Sequence, residues 1–151
     1  SITLDLLEKH LSDYDELPKR IIHGDFNDEN ALFRGNKNVA IIDITLKYEA
    51  FVFDLAIFIY WWCFPWWTKH INFERYKLVL TYYQRNRQLT VREKKLLPYL
   101  ILRRSFLVLT YPSIIYLKNK KDYENFASAM EKNYIRNREI RENLVNLSAL
   151  L

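Results

Sequence analysis

Residues 23–30, His-Gly-Asp-Phe-Asn-Asp-Glu-Asn, hold the densest set of reactive side chains in this sequence. Asp25 stands five residues ahead of Asn30, in the order His-x-Asp-x-x-x-x-Asn. That order suits the transfer of a phosphoryl group to a hydroxyl. The reaction needs a carboxylate to hold and deprotonate the attacking hydroxyl, a role open to Asp25. It also needs a neutral oxygen that turns back onto the metal at the phosphates, a role open to Asn30. The same residue types also build plain turns, because Asp and Asn hydrogen-bond their own backbone. His23 has two readings, a structural histidine that supports the loop or a catalytic acid. The structural one is preferred, since Asp25 already supplies the base.

A second acid follows at a telling place. Val39-Ala40-Ile41-Ile42-Asp43 is an apolar, β-branched run that ends in a carboxylate, the profile of a buried strand with one acid at its end. Residues 31–33 and 38–42 read as a hairpin that turns through Arg34-Gly35-Asn36-Lys37. Such a hairpin brings Asn30 and Asp43 side by side, as one Mg²⁺ requires. A strand-end acid is elsewhere often only a cap or a turn former. Residues 51–62 are apolar on nearly every side except at Asp54, which predicts a helix buried on most faces. A carboxylate there needs partners. Capping the helix start and bracing the catalytic-loop backbone would provide them together.

The remaining elements must position these groups. Residues 2–14 carry a helical stripe, Ile2, Leu4, Leu6, Leu7 and Leu11, broken before Leu17-Pro18, with His10 on the surface. Residues 19–22 form a short strand into the loop, and 45–49 a polar connection. The run Trp61-Trp62-Cys63-Phe64-Pro65-Trp66-Trp67 reads first as core. Its sharper reading is a substrate wall, in which Phe58, Trp61 and Trp62 line the acceptor pocket and an indole faces an ammonium group. Residues 72–87 are amphipathic with Asn72 as N-cap, and Thr90-Val91-Arg92-Glu93 is a capping box. Pro98 is expected to divide a short helix from a longer one over 99–111, which Pro112 ends. Arg103 and Arg104 interrupt that helix, either on a solvated face or as grips for a substrate carboxylate. Residues 122–147 read as one long charged helix.

Composition narrows the classes. A chain of 151 residues, half of them hydrophobic, reads as a single globular domain over 1–151. One cysteine excludes an internal disulfide and suits a reducing, cytoplasmic setting. The longest uncharged apolar run, 55–67, is too short to span a bilayer, so no membrane partner is expected. The net charge of +5 is spread over several helices, which argues for a solvated surface and against a nucleic-acid site. The two glycines, Gly24 and Gly35, cannot make a Walker loop or a Gly-rich kinase loop. Nor does a strand-borne Lys precede residues 23–30.

Residues 17–44 and 51–64 resemble the C-terminal lobe of the aminoglycoside phosphotransferase and choline kinase superfamily, nearest its homoserine-kinase-like branch. Residues 82–106 resemble that branch too, so the likeness covers about 15–110. It implies an α+β, mainly α, protein-kinase-like C-terminal lobe with small β-hairpins around the catalytic loop. It further implies ATP- and Mg²⁺-dependent transfer of the γ-phosphoryl group to a hydroxyl of a small amino acid or amino alcohol. Asp25 is then the base, Asn30 and Asp43 the Mg²⁺ ligands, and Asp54 the brace of the loop. The N-terminal nucleotide lobe is expected to be absent from this chain, leaving it inactive unless a separate chain supplies that lobe. One departure stands out: Asn27-Asp28, where many relatives have Pro at the second position; Gly24 stands where protein kinases usually carry Arg. Hydroxylysine-kinase-like members resemble the Asn27-Asp28 variant. Choline-, hydroxylysine- and aminoglycoside-type acceptors are the alternatives, the last disfavoured because a polycation prefers an acidic recess. A protein-kinase role is disfavoured because no Asp-Phe-Gly or Ala-Pro-Glu follows the loop. The rival from another class is an inactive remnant that serves as a binding module.

Overall fold

The computed structural model describes residues 2–65, 68, 70–119 and 123–151. In chain order the elements are α1 (Ile2–Glu8), α2 (Leu11–Asp15), β1 (Lys19–Ile22), β2 (Ala31–Arg34), β3 (Lys37–Ile41) and β4 (Lys47–Ala50). The helical half follows with α3 (Val52–Cys63), α4 (Phe73–Asn86), α5 (Val91–Asn119), α6 (Tyr123–Glu142) and α7 (Leu144–Ala149). The fold is α+β and mainly α, as the sequence indicates. Residues 2–14 divide into two helices, and His10 lies between them, its ring 3.9 Å from that of Tyr99.

Helix α3 is the core element. Val52, Phe53, Leu55, Ala56, Ile57, Ile59, Tyr60 and Cys63 are all buried, which leaves it no solvated stripe. Burial pushes the Cys63 thiol up to about 12, so it stays protonated. The Asn72 N–H closes the end of α3 on the Cys63 carbonyl at 2.8 Å. Asn72 also caps α4, its side chain accepting from the Arg75 N–H at 2.9 Å. The expected capping box opens α5: Glu93 accepts from the Thr90 N–H at 2.9 Å, and Thr90 Oγ1 accepts from the Glu93 N–H at 3.2 Å. The fully buried Glu93 is compensated by Arg87, Nη2 to Oε1 at 2.5 Å.

Helix α5 departs from the expectation that Pro98 and Pro112 divide and end it, for it runs unbroken through both. A proline inside a helix costs about 3 kcal/mol. Leu96, Leu97, Leu100, Ile101 and Leu102 are buried around Pro98. At roughly 1.5–3 kcal/mol for each such side chain, packing outweighs the break. The charged C-terminal stretch is likewise two helices, α6 and α7, parted at Asn143; Asp122 lies outside the described residues. A buried polar link joins the layers, with Asn137 of α6 accepting from Thr3 at 3.0 Å and donating to Ser105 at 2.8 Å.

Two small sheets precede α3, and β4 packs against it. β1 pairs antiparallel with β4, Lys19 opposite Ala50 and Ile22 opposite Lys47, so part of the expected polar connection is strand. β2 pairs with β3 through the turn at Gly35, whose φ of +58° suits a two-residue hairpin loop. The apolar run before Asp43 is not buried as its composition suggests: Val39, Ile41 and Ile42 are each more than 40% exposed. A two-stranded sheet has no layer of its own to cover both faces, and none of the described residues supplies one. Phe33, Ile44, Leu46 and Tyr48 are exposed as well. Among the described residues no helix is long and apolar enough to cross a membrane.

Candidate active site

The loop 23–30 is suspended from α3. Asp54 is not the N-cap of that helix; Phe51 holds that position in helical geometry, without a side-chain cap. Asp54 sits one turn in, where its carboxylate reaches back and accepts from the His23 N–H at 2.7 Å and the Gly24 N–H at 2.9 Å. Antiparallel pairing of β1 with β4 anchors the start of α3 beside the start of β1, where the Phe51 N–H donates to the Pro18 carbonyl at 2.9 Å. Gly24 has φ +80°, and a Cβ there would lie 2.5 Å from the Thr45 carbonyl oxygen. The close approach of residues 45–47 therefore explains the glycine.

Asn27 shapes the next turn, its Oδ1 accepting from the N–H groups of Glu29 at 2.9 Å and Asn30 at 3.0 Å. Asn30, 6% exposed, donates from Nδ2 to the Asp25 carbonyl at 2.9 Å. Its carbonyl Oδ1 takes no hydrogen bond among the described residues. His23 ties the loop to the second hairpin. Its Nε2 donates to the Ile42 carbonyl at 3.2 Å, and its Nδ1 accepts from the Asp25 N–H at 3.4 Å. The Ile42 N–H returns to the Asn30 carbonyl at 3.0 Å, so residue 42 lies against residue 30. Asp43 comes next, exposed, with φ +56° and no partner for its carboxylate among the described residues. Asp tolerates this left-handed geometry better than most residues, at a cost of about 1 kcal/mol.

Asp25 has a partner that the sequence did not disclose. Arg104 of α5 donates from Nη2 to Asp25 Oδ1 at 2.6 Å, with its side chain only 13% exposed. The solvated-face reading of this arginine is therefore corrected. Among the described residues Asp25 Oδ2 meets only the Asn27 side-chain amide, at 3.5 Å. Arg103 is placed elsewhere. It spans Glu49 Oε2 with both Nη atoms at 3.2 Å, donates to Tyr14 Oη at 2.7 Å, and lies over the Tyr14 and Phe53 rings. Burial alone would raise the Glu49 carboxyl. The Tyr14 hydroxyl, the Ala50 N–H and Arg103 outweigh it and hold the group below the ordinary carboxylate range. A guanidinium so committed is not free to grip a substrate.

The aromatic residues split between two cavities. Phe26, Phe58 and Trp62 stack in sequence, with centroids 5.3 and 5.1 Å apart, along an apolar cavity of ≈ 730 Å³ between the loop, α3 and α4. Trp61 turns the other way. It lines a more polar cavity of ≈ 370 Å³ together with Asn27, Asp28, Glu29, Trp62 and Arg136. Its ring lies 5.7 Å from the guanidinium carbons of both Arg104 and Arg136. An ammonium group resting on this indole would meet two like charges, which disfavours the cation–π cage. Trp66 and Trp67 lie outside the described residues.

An α+β, mainly α fold with an Asp-and-Asn loop at its strand ends is the class of structure these features define. The profile of the phosphotransferase enzyme family (APH) matches residues 3–85, more than half of the sequence, and the chain belongs to that family. The chain is 36% identical over 99 residues to a homoserine kinase of Beijerinckia indica subsp. indica, an alignment covering 64% of this chain and 30% of that protein. Homoserine kinases of Nitrobacter hamburgensis and Rhodopseudomonas palustris are each 34% identical over 99 residues, covering 64% of this chain and 29% of theirs. The match thus spans less than a third of the length of these curated relatives.

Proposed function

We propose that this chain is the C-terminal lobe of a small-molecule kinase, which transfers the γ-phosphoryl group of ATP to a hydroxyl of a small amino acid or amino alcohol. The observation that carries this reading is the loop itself. Asp25, Asn30 and residue 42 are tied together by His23 and the Asn30 amide, and the whole is hung from Asp54. In the reaction the acceptor hydroxyl gives its proton to Asp25 Oδ2 as its oxygen bonds to the γ-phosphorus. The bond from that phosphorus to the β-bridging oxygen breaks, and ADP leaves. Arg104 holds Oδ1 and so fixes the direction in which Oδ2 faces.

The residues present fit a Mg²⁺ ion. Asn30 Oδ1 and the Asp43 carboxylate are uncommitted hard oxygen donors at adjoining positions, and Mg²⁺ bound with phosphates commonly takes only one or two protein ligands. The ion would supply charge neutralisation at the phosphates. The exposed apolar surface of β2, β3 and residues 42–48 supports a second, nucleotide-binding lobe over this face, in the same polypeptide or a separate one. The buried free thiol of Cys63 suits a reducing, cytoplasmic setting.

The test is a screen of hydroxylated amino acids and amino alcohols with Mg²⁺–ATP, using the complete two-lobe protein and detecting phosphorylated product by ³¹P NMR. At least one acceptor should be phosphorylated. Asn30→Ala and Asp43→Ala should each raise the Mg²⁺ concentration needed for half-maximal rate. Product formation with an unchanged Mg²⁺ requirement in both variants would remove these residues from the metal site.

A further inference from the structure

We propose that Arg136 is the carboxylate anchor of the acceptor site, so that the acceptor is a zwitterionic hydroxy-amino acid and not an amino alcohol. This rests on the phosphotransferase reading of Asp25. Arg136 belongs to α6 and is 8% exposed. Its neighbours are rings, with its guanidinium carbon 5.5 Å from the Tyr60 centroid and 5.7 Å from that of Trp61. Arg87, Arg103 and Arg104 are each less buried, and each has a carboxylate partner, in Glu93, Glu49 and Asp25. Among the described residues Arg136 has none. A guanidinium cannot shed its charge, and its five N–H donors point in fixed directions. Buried without an anion, it is an unfavourable arrangement that a bound anion would relieve.

The surroundings show the same deficit. Arg136 lines the ≈ 370 Å³ cavity whose other wall is Asn27, Asp28 and Glu29, the residues that directly follow the base. Trp61 Nε1, Trp62 Nε1 and Arg104 Nε are buried with no hydrogen-bond partner among the described residues. Trp61 and Trp62 line the same cavity as Arg136, and the Arg104 guanidinium carbon lies 5.7 Å from the Trp61 ring. All three are N–H donors, so this side of the site has surplus donors. Buried donors left unpaired in this number point to a ligand rich in acceptor oxygens. The loop side has the opposite character. Asp28 and Glu29 are exposed carboxylates, with no ion pair among the described residues. A compact ligand with a carboxylate towards Arg136 and an ammonium towards Asp28 and Glu29 satisfies both walls. Its hydroxyl arm is then left for Asp25.

The experiment uses the complete two-lobe protein and two probes, L-homoserine and L-homoserinol, which differ only in that a hydroxymethyl group replaces the carboxylate. Binding is measured by calorimetry in the Asp25→Asn background, so that it does not depend on turnover. L-Homoserine should bind at least about tenfold more tightly, the scale of one charge-assisted bidentate pair. Arg136→Met should collapse that preference towards unity, and Arg136→Lys should restore part of it. Far-UV circular dichroism and ATP affinity serve as controls. If Arg136→Met does not fold, the preference in Arg136→Lys, reduced but present, carries the same test. Equal affinity for the two probes in the parent protein would overturn the proposal. So would an unchanged preference in the Arg136 variants, or a loss that falls on ATP, which would assign the anion to a nucleotide phosphate. Turnover is read separately: carboxylate-selective binding without phosphorylation of any acceptor would refute the kinase reading and leave the anchor standing.

Discussion

Removing the Asp54 carboxylate should loosen the loop 23–30 and destabilise the fold together, because one side chain serves both. Asp54 accepts two backbone hydrogen bonds, at 2.7 and 2.9 Å, from His23 and Gly24. A hydrogen bond to a charged group contributes about 1.5–3 kcal/mol, so two give ~3–6 kcal/mol. Both are only partly buried, and water can replace them in part, which lowers the expectation for Asp54→Ala to ~2–4 kcal/mol. Asp54→Asn should recover little of this, since one amide oxygen meets two donors and its NH₂ then faces a backbone N–H. For a domain of this size ~1 kcal/mol moves Tm by roughly 2–4 °C, so a fall of about 5–15 °C is expected. Urea denaturation followed by tryptophan fluorescence measures the loss directly, and an unchanged m-value would show that the denatured state is not responsible. If both variants stay within ~0.5 kcal/mol of the parent, the loop is held by something other than Asp54.

The two glycines should respond differently to alanine. Gly24→Ala adds a Cβ 2.5 Å from a backbone carbonyl at φ +80° and should cost at least ~2 kcal/mol, whereas Gly35→Ala, at φ +58° with nothing within 4 Å, should cost only about 1 kcal/mol by the same denaturation assay. The Glu49 pair should appear in the acid limb. Its folded value lies below the ordinary 4.5, so its contribution is complete above that value and is lost as pH falls through the folded value. Stability of Glu49→Gln should therefore trail the parent at pH 7, and the gap should narrow as pH falls below the ordinary carboxylate value; a gap that does not change with pH across the acid limb would mean that packing, not charge, is lost.

What could be read from the sequence was local. The Asn-turned loop at 23–30, the hairpin about Gly35, the buried helix at 52–63 and the caps at Asn72 and Thr90 all depend on neighbours within a few residues. The unreadable parts were long-range. Arg104 meets Asp25 across 79 residues, and nothing in the 23–30 stretch specifies that partner. Arg136 is one more cation in a charged helix until Tyr60 and Trp61 are seen to bury it. Pro98 and Pro112 were misleading for the same reason, since local preference for a break yields to the packing of α5. The run 39–42 misled in the opposite sense. Its composition suits a buried strand, and the exposed face is where a further layer of protein would fit. The signal that could have identified Arg136 was faint: a cation on the turn before the buried Asn137 and Ile140, in a helix whose other arginines face solvent or half-exposed positions.

The central claim is that Asp25 is the base of a phosphoryl-transfer site, and its most direct test separates chemistry from binding. In the complete two-lobe protein, Asp25→Asn keeps the shape of the side chain, and Arg104 can still meet an oxygen. Turnover of the best acceptor with Mg²⁺–ATP should fall by at least about a hundredfold, the usual scale for losing a general base, while the dissociation constant for Mg²⁺–ATP stays within about twofold. Loss of nucleotide affinity in step with turnover would make Asp25 a metal ligand. Turnover that survives the substitution would contradict the account.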